Sequence, residues 1–169
     1  DIPNKPQVYI AKGSSPWYRF DWWDVATITN IDKSVSGQVT VTCNGSVTTM
    51  ASLFSGCCNL TSIDLSSFDT SKVTEMCGMF YECECLTELD LSNFDTSNVT
   101  DMRDMFYGCS NLTTIKGVID MKSCTEENYY FMFYKCPNLK DVKIKNPPAD
   151  TNWWEKAGFQ SESQFTVVS

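Results

Sequence analysis

The sequence predicts an α/β fold: a short leucine-rich-repeat solenoid, with a parallel strand ladder and short helices, between a β-containing N-terminal cap and a helix-strand C-terminal cap. Three observations predict it. Residues 47–72 read VTTMASLFSGCCNLTSIDLSSFDTSK and residues 73–98 read VTEMCGMFYECECLTELDLSNFDTSN, a 26-residue period. Each period divides into two hydrophobic periodicities, and the composition changes at both ends of the repeated region. Self-similarity at a fixed period of this size is the signature of repeat architectures.

Residues 1–46 hold three β-like runs, around Val8 to Ile10, Val25 to Ile31 and Val39 to Cys43, separated by Gly/Ser/Pro turns. They predict an N-terminal β cap, and Val39–Cys43 reads as a half-repeat strand feeding the first full repeat. Residues 47–145 hold about four repeats, with equivalent cysteines at Cys57, Cys83, Cys109 and Cys136. Val73, Met76, Met79, Phe80 and Cys83 recur at three or four residues, which predicts a short amphipathic helix with Asp69-Thr70-Ser71 as its N-cap. Leu86, Leu89 and Leu91 carry the LxxLxL spacing of a leucine-rich-repeat strand, with alternate residues facing out. Neither element buries its apolar face alone, so the repeats stack. Residues 146–169 begin with Asn146-Pro147-Pro148 and predict a closing cap. In it a short helix around Trp153 and Trp154 is capped by Thr151 or Asn152 and ended by Gly158, and Gln164 to Val168 form a last strand.

Composition narrows the function classes. Over 169 residues, 13 Lys and Arg face 21 Asp and Glu, for a net charge of −8. Such a surface repels a nucleic-acid backbone and an anionic membrane, so neither is an expected partner. The longest dense apolar run, Tyr129 to Tyr134, is far below the ~20 residues of a spanning helix, so no membrane insertion is expected; no signal peptide is read either. Histidine is absent, which removes the commonest general base and the commonest zinc ligand. The sequence predicts no enzyme, no cofactor and no metal.

The stretch from Leu89 to Ile115, LDLSNFDTSNVTDMRDMFYGCSNLTTI, resembles the BspA-like leucine-rich repeat family of bacterial surface proteins. The pattern LSxFDTSxVTxMxxMFxxCxxLxxL covers about residues 47–145. The resemblance implies an extracellular or cell-surface protein of a host-associated bacterium, a right-handed solenoid used for adhesion to host or bacterial macromolecules, and no enzymatic activity. Such repeats also occur in phage virion proteins of gut bacteria, so a structural module of a surface or virion assembly is the second expectation. Oligomeric state stays open.

Candidate partner-binding residues are the outward strand positions of the concave face, where a surface protein is expected to dock. Aligned by repeat, they form the rows Asp64, Asp90, Lys116, Lys143; Ser62, Glu88, Thr114, Asp141; and Ser66, Ser92, Val118, Lys145. The face passes from acidic to basic: residues 47–98 carry eight acids against one base, and residues 99–169 nine against eight. Solvated charge is the simpler reading of these rows, because charge on an exposed sheet face needs no partner. A paired-carboxylate glycosidase site at Asp64 and Asp90 is weighed and set aside, because identical repeat positions give no divergent environments to separate their pKa values. Trp17, Tyr18, Phe20, Trp22 and Trp23 make an aromatic cluster, either packing of the cap or, through Trp17, Tyr18, Trp22 and Trp23, a platform for a glycan.

Nine cysteines raise the question of disulfides. The repeat-position cysteines read as a ladder of buried thiols, whereas Cys58 and Cys85, one position out of phase, are placed for a possible bridge. The sequons at Asn44, Asn59, Asn98 and Asn111 read as structural, with Asn and Thr satisfying backbone groups.

Overall fold

In a computed structural model, the described residues are 7–11, 28–32, 38–43, 47–58, 60–66, 68–125 and 127–169, with side chains described from residue 47 onward. The architecture is mixed. Strands β1 (Gln7–Ala11), β2 (Ile28–Asp32), β3 (Gln38–Cys43) and β4 (Ile63–Asp64) form a sheet in the order β2-β3-β1-β4. Strands β5 (Glu88–Asp90) and β6 (Thr114–Lys116) form a parallel pair, and β7 (Val118–Asp120), β8 (Val142–Lys145) and β9 (Phe165–Val168) a parallel three-stranded sheet. Among the described residues no sheet closes into a barrel and helix is scarce.

The helix predicted in each repeat is not formed; the same residues make a chain of tight turns. Met50, Ser52, Phe54 and Gly56 donate their N–H groups to the carbonyls of Glu75, Cys77, Met79 and Tyr81, one repeat on, while Leu53, Ser55 and Cys57 donate back three residues. The alternation recurs from Met76, Gly78, Phe80 and Glu82 to Asp101, Arg103, Met105 and Tyr107, and again from Met102, Asp104, Phe106 and Gly108 to Asn128, Tyr130, Met132 and Tyr134. It is set by a left-handed residue every fourth position: Ser52 and Gly56, Gly78 and Glu82, Asp104 and Gly108, Phe131 and Lys135 all have positive φ. Each reverses the helical winding before a second turn can propagate. A three-turn helix is marginal in isolation, and backbone bonds to a stacked neighbour satisfy the same groups. The three-or-four spacing of apolar residues survives because two such turns still return Met, Phe and Cys to one side.

The predicted N-cap at Asp69 is accordingly a turn. Asp69 Oδ1 accepts from Ser71 N at 3.0 Å, and Asp95 repeats this with Ser97 at 3.0 Å. Between them Thr70 and Thr96, buried at 2% and 3% exposure, accept from Asp95 N and Asp120 N at 2.8 and 2.7 Å. Short polar residues thus tie each repeat to the next. Asn98 and Asn111 do the same, donating to the carbonyls of Ser71 and Glu84, as their structural reading requires; Asn44 and Asn59 lie outside the described residues.

The interior is built of ladders. Phe54, Phe80, Phe106, Phe133 and Phe159 stack in series with centroids 5.3, 5.7, 5.4 and 4.4 Å apart. Beside them run Cys57, Cys83, Cys109 and Cys136, all buried. Cys58 and Cys85 are free thiols, half-buried and exposed, so the bridge considered between them is not made.

Both ends depart from expectation in detail. Strand β3 pairs antiparallel with β1 and β2 and is not a half-repeat strand; β1 covers the first repeat, pairing antiparallel with β4 at Tyr9↔Asp64 and Ile10↔Ile63. At the other end the predicted helix and strand are present, α1 (Trp153–Lys156) and β9. Asn152 is at the N-cap of α1 but makes no side-chain cap bond; Asp150 Oδ1 accepts from Asn152 N at 3.0 Å instead. The segment extends the ladders, since Phe131 N and Phe133 N donate to Lys156 O and Ala157 O, and Trp153 packs edge-on against Phe159.

Candidate binding faces

The first face is the strand face. Strands β5 and β6 each bury the central residue and expose the two beside it, and β8 buries Val142 and Ile144 while exposing Lys143. Ser62, Asp64, Ser66, Glu88, Asp90, Ser92, Thr114, Lys116, Asp141 and Lys143 are exposed and Lys145 is half-buried. Glu88 stands beside Thr114 and Asp90 beside Lys116, as aligned by repeat.

The last rung is not where the sequence places it. Lys143 pairs with Val118 and Lys145 with Asp120, while Thr114 bridges to Lys140, not Asp141. The slip falls between Thr114 and Val118, four steps along the chain that face only three from Lys140 to Lys143. Gly117, at φ +98°, ends β6 there, where a Cβ would sit 2.7 Å from the Leu91 carbonyl group, and Asp141, at φ +54°, precedes β8. Lys116 and Lys143 therefore do not share a row.

Much of the charge on this face is engaged locally. Hydrogen bonds from the Ser66 side chain and backbone hold Asp64 below the usual carboxylate range, and those from Ser92 do the same for Asp90. Lys116 pairs with Glu88, both about half exposed, and contact with that carboxylate raises the lysine. Asp64 and Asp90 line a shallow hollow of about 220 Å³ with Ile63, Leu65, Ser66, Ser92 and Asn93. Asn93 Nδ2 ties its floor by donating to the carbonyls of Leu65, Ser66 and Phe68. The aromatic cluster of Trp17, Tyr18, Trp22 and Trp23 lies outside the described residues.

A second face was not foreseen from sequence. Tyr81, Tyr107 and Tyr134 follow the inward Phe of three successive repeats. Tyr81 and Tyr107 stack at 4.8 Å with planes 9° apart, and Tyr107 and Tyr134 lie at 5.4 Å and 39°. Lys135 Nζ sits 5.2 Å from the Tyr107 centroid, and Phe131 packs edge-on to Tyr134 while 51% exposed. The signal was present: the residue after each inward Phe is Ser55, Tyr81, Tyr107 and Tyr134, aromatic in all copies but the first. Beside Tyr81 lies a hollow of about 390 Å³ lined by Ser52, Ser55, Cys77, Gly78, Arg103 and Asp104. Arg103 is committed to Asp101, at 3.0 Å through Nε and 2.6 Å through Nη2. Asp104 is half-buried, and that burial raises its carboxyl.

Among the described residues no group of three or more Cys, Asp or Glu is placed to hold a metal ion, and no helix is long and apolar enough to cross a membrane. Burial lifts the thiols of the ladder, Cys57 to about 11 and Cys136 to about 12, with Cys83 and Cys109 raised further. A thiol held protonated is a poor nucleophile and a poor metal ligand.

No curated protein and no solved structure matches the chain. A family model described as "Mycoplasma protein of unknown function, DUF285" matches residues 19–146, which takes in the whole stack of turns and strands from Val47 to Lys145. The match spans well over half of the sequence, and the chain belongs to the DUF285 family.

Proposed function

We propose that the chain is the body of a short leucine-rich-repeat solenoid of the BspA-like type, a non-enzymatic, extracellular or cell-surface module that binds a surface protein of a host or another bacterium through its strand face. The observation that carries this reading is the alternation on β5, β6 and β8, which turns Glu88, Asp90, Thr114, Lys116 and Lys143 outward from two parallel sheets. A ladder fixed by stacked rings and inter-repeat hydrogen bonds presents such residues with little backbone ordering left to do at binding. Catalysis finds no support at Asp64 and Asp90: both carboxyls are shifted down, whereas a glycosidase acid is shifted up. The test is binding of the chain to a panel of matrix glycoproteins and bacterial surface proteins at two salt concentrations. Binding that weakens with salt and is lost when Asp64, Asp90, Lys116 and Lys143 are reversed in charge together supports the reading; binding indifferent to that reversal ends it.

A structural role in a larger assembly is favoured by one feature. Among the described residues β9 is bonded on one side only, to β8, and ends the order of its sheet, with Val167 52% exposed. A parallel edge of this kind accepts a further strand. A stable trimer in light scattering would put this role first, and a monomer the displayed binding module.

A further inference from the structure

The tyrosine row stops one repeat short. Tyr134, Tyr107 and Tyr81 occupy successive repeats, and the next position in the series is Ser55. Because Tyr81 is stacked nearly parallel on Tyr107, its other face looks toward the repeat that carries Ser55, where the hollow of about 390 Å³ lies. That repeat is close: Gly56 N donates to Tyr81 O at 2.7 Å, and a Cβ on Gly78 would come within 3.3 Å of Ser52 Oγ. The hollow borders Tyr81 and runs from Ser52 and Ser55 across Cys77 and Gly78 to Arg103 and Asp104, so an aromatic ring and hydrogen-bonding groups of three repeats line it, with room left where a ring at position 55 would stand.

We propose that this hollow is a carbohydrate subsite in which one neutral pyranose ring stacks on Tyr81 in the place of the missing rung and hydrogen-bonds to Asp104 and the hydroxyls of Ser52 and Ser55. The rim selects this chemistry. Arg103 is held in a bidentate ion pair with Asp101, which offsets its pull on an acidic ligand. Asp104, which sets no ion pair or side-chain hydrogen bond among the described residues, is a half-buried acceptor matched to sugar hydroxyls. A carboxylate there disfavours sialic or uronic acids, and an aromatic face with a few convergent polar groups is the general form of a small-ligand site. The site is on turn segments of the first three repeats, separate from the strand face, and stands or falls independently of binding there.

The experiment follows the tyrosine ring and amide resonances of the chain while glucose, galactose, N-acetylglucosamine and their short β-linked oligomers are added. Saturable shifts at Tyr81, Ser55 and Asp104, with Tyr134 unmoved, are expected for at least one neutral sugar. Ser55→Tyr, which supplies the missing rung, should abolish them, and Tyr81→Ala should weaken binding by about tenfold, the scale of one aromatic contact. Asp104→Asn should weaken it, while reversing Asp64, Asp90, Lys116 and Lys143 should leave it intact. The proposal is overturned if no sugar moves Tyr81, if Ser55→Tyr folds and binds as before, or if indole and other flat aromatics bind where sugars do not.

Discussion

Cys109 Sγ lies 3.1 Å from the carbonyl oxygen of Phe80, one repeat earlier, and donates its S–H to it. Cys83 makes the same contact to Phe54 at 3.1 Å and Cys136 to Phe106 at 3.0 Å. The thiol thus joins the two inner ladders, filling a small apolar slot and satisfying a buried carbonyl. A cysteine repeated every 26 or 27 residues is used as a structural residue here, and its chemistry follows from that.

The thiols should fall into two classes under an alkylating reagent at mild alkaline pH. Cys85 is exposed and Cys58 half-buried, and these should react in the folded protein; Cys57, Cys83, Cys109 and Cys136 should react only after unfolding. Their folded pKa values lie above the ordinary 9.0, at about 11 for Cys57 and about 12 for Cys136. The folded state then binds more protons than the unfolded state above pH 9, so stability falls as pH rises. Their contribution is complete below about pH 8.5 and is lost as pH climbs through 11 and 12. Urea midpoints measured from pH 7 to 11 should decline over the upper part of that range, and Cys109→Ala should flatten the decline. Full labelling of all the described cysteines without denaturant would refute the buried ladder.

Phe106 sits between Phe80 and Phe133 in the ring ladder, 5.7 and 5.4 Å from its neighbours, with no exposed surface. Phe106→Ala removes a whole ring from a stack that cannot collapse without shifting two repeats, so a loss of about 3–5 kcal/mol is expected. Phe106→Leu keeps most of the volume and should cost less than half as much. Denaturant unfolding of both variants checks the order; equal losses would mean that ring stacking, not filled volume, dominates.

How much of this was legible from sequence depends on which interaction set the feature. Period, core positions and the strands around Leu89 and Ile115 were readable, because apolar spacing reports directly which residues face in. Replacement of the helix by turns was hidden, since both arrangements return Met76, Met79, Phe80 and Cys83 inward. What separates them is the left-handed backbone at positions such as Gly78 and Glu82; Gly56, Gly78 and Gly108 were the available sign, and Glu82 and Asp104 show that the position also accepts acids. The slip that separates Lys116 from Lys143 was equally hidden, because counting residues cannot say whether an extra one enters the turn or the strand. In the candidate sites, exposure of the strand residues was foreseen, whereas the tyrosine row needed the third dimension: one residue per repeat forms a pattern only once repeats are known to stack in register.

Glycines at positive φ are unequal, and the difference is measurable. Gly158, at φ +92°, has Tyr134 N only 2.5 Å from where a Cβ would be, whereas Gly56, at φ +73°, has nothing within 4 Å. Gly56→Ala should cost roughly 1–2 kcal/mol, the strain of left-handed backbone alone. Gly158→Ala adds a backbone collision where α1 meets the last repeat, and should cost clearly more and loosen Phe159 from Phe133. Thermal melts and hydrogen exchange at the Ala157–Phe133 backbone bond would show it; similar losses for both variants would contradict the close approach.

Acid should weaken the stack at its turns. Hydrogen bonds from Ser71 and Ser97, side chain first and backbone second, hold Asp69 and Asp95 below the ordinary 3.8. With the folded pKa depressed, the unfolded state takes up protons first as pH falls, so these groups stabilise above about pH 4 and lose that contribution as pH drops through their folded values. Asp95→Asn keeps an oxygen that accepts from Ser97 N but removes the charge. Its stability should be slightly lower at pH 7 and should change less between pH 5 and 2 than that of the unaltered chain. Thermal melts across that range decide it, and parallel curves for the two proteins would show that Asp95 does not report folding through its carboxylate. Thr96→Val is the companion experiment, because it strips the Asp120 N–H of its 2.7 Å acceptor without altering charge. It should cost about 1–3 kcal/mol, the net worth of the two part-buried hydrogen bonds that the Thr96 hydroxyl makes with the Asp120 N–H and carbonyl, at every pH.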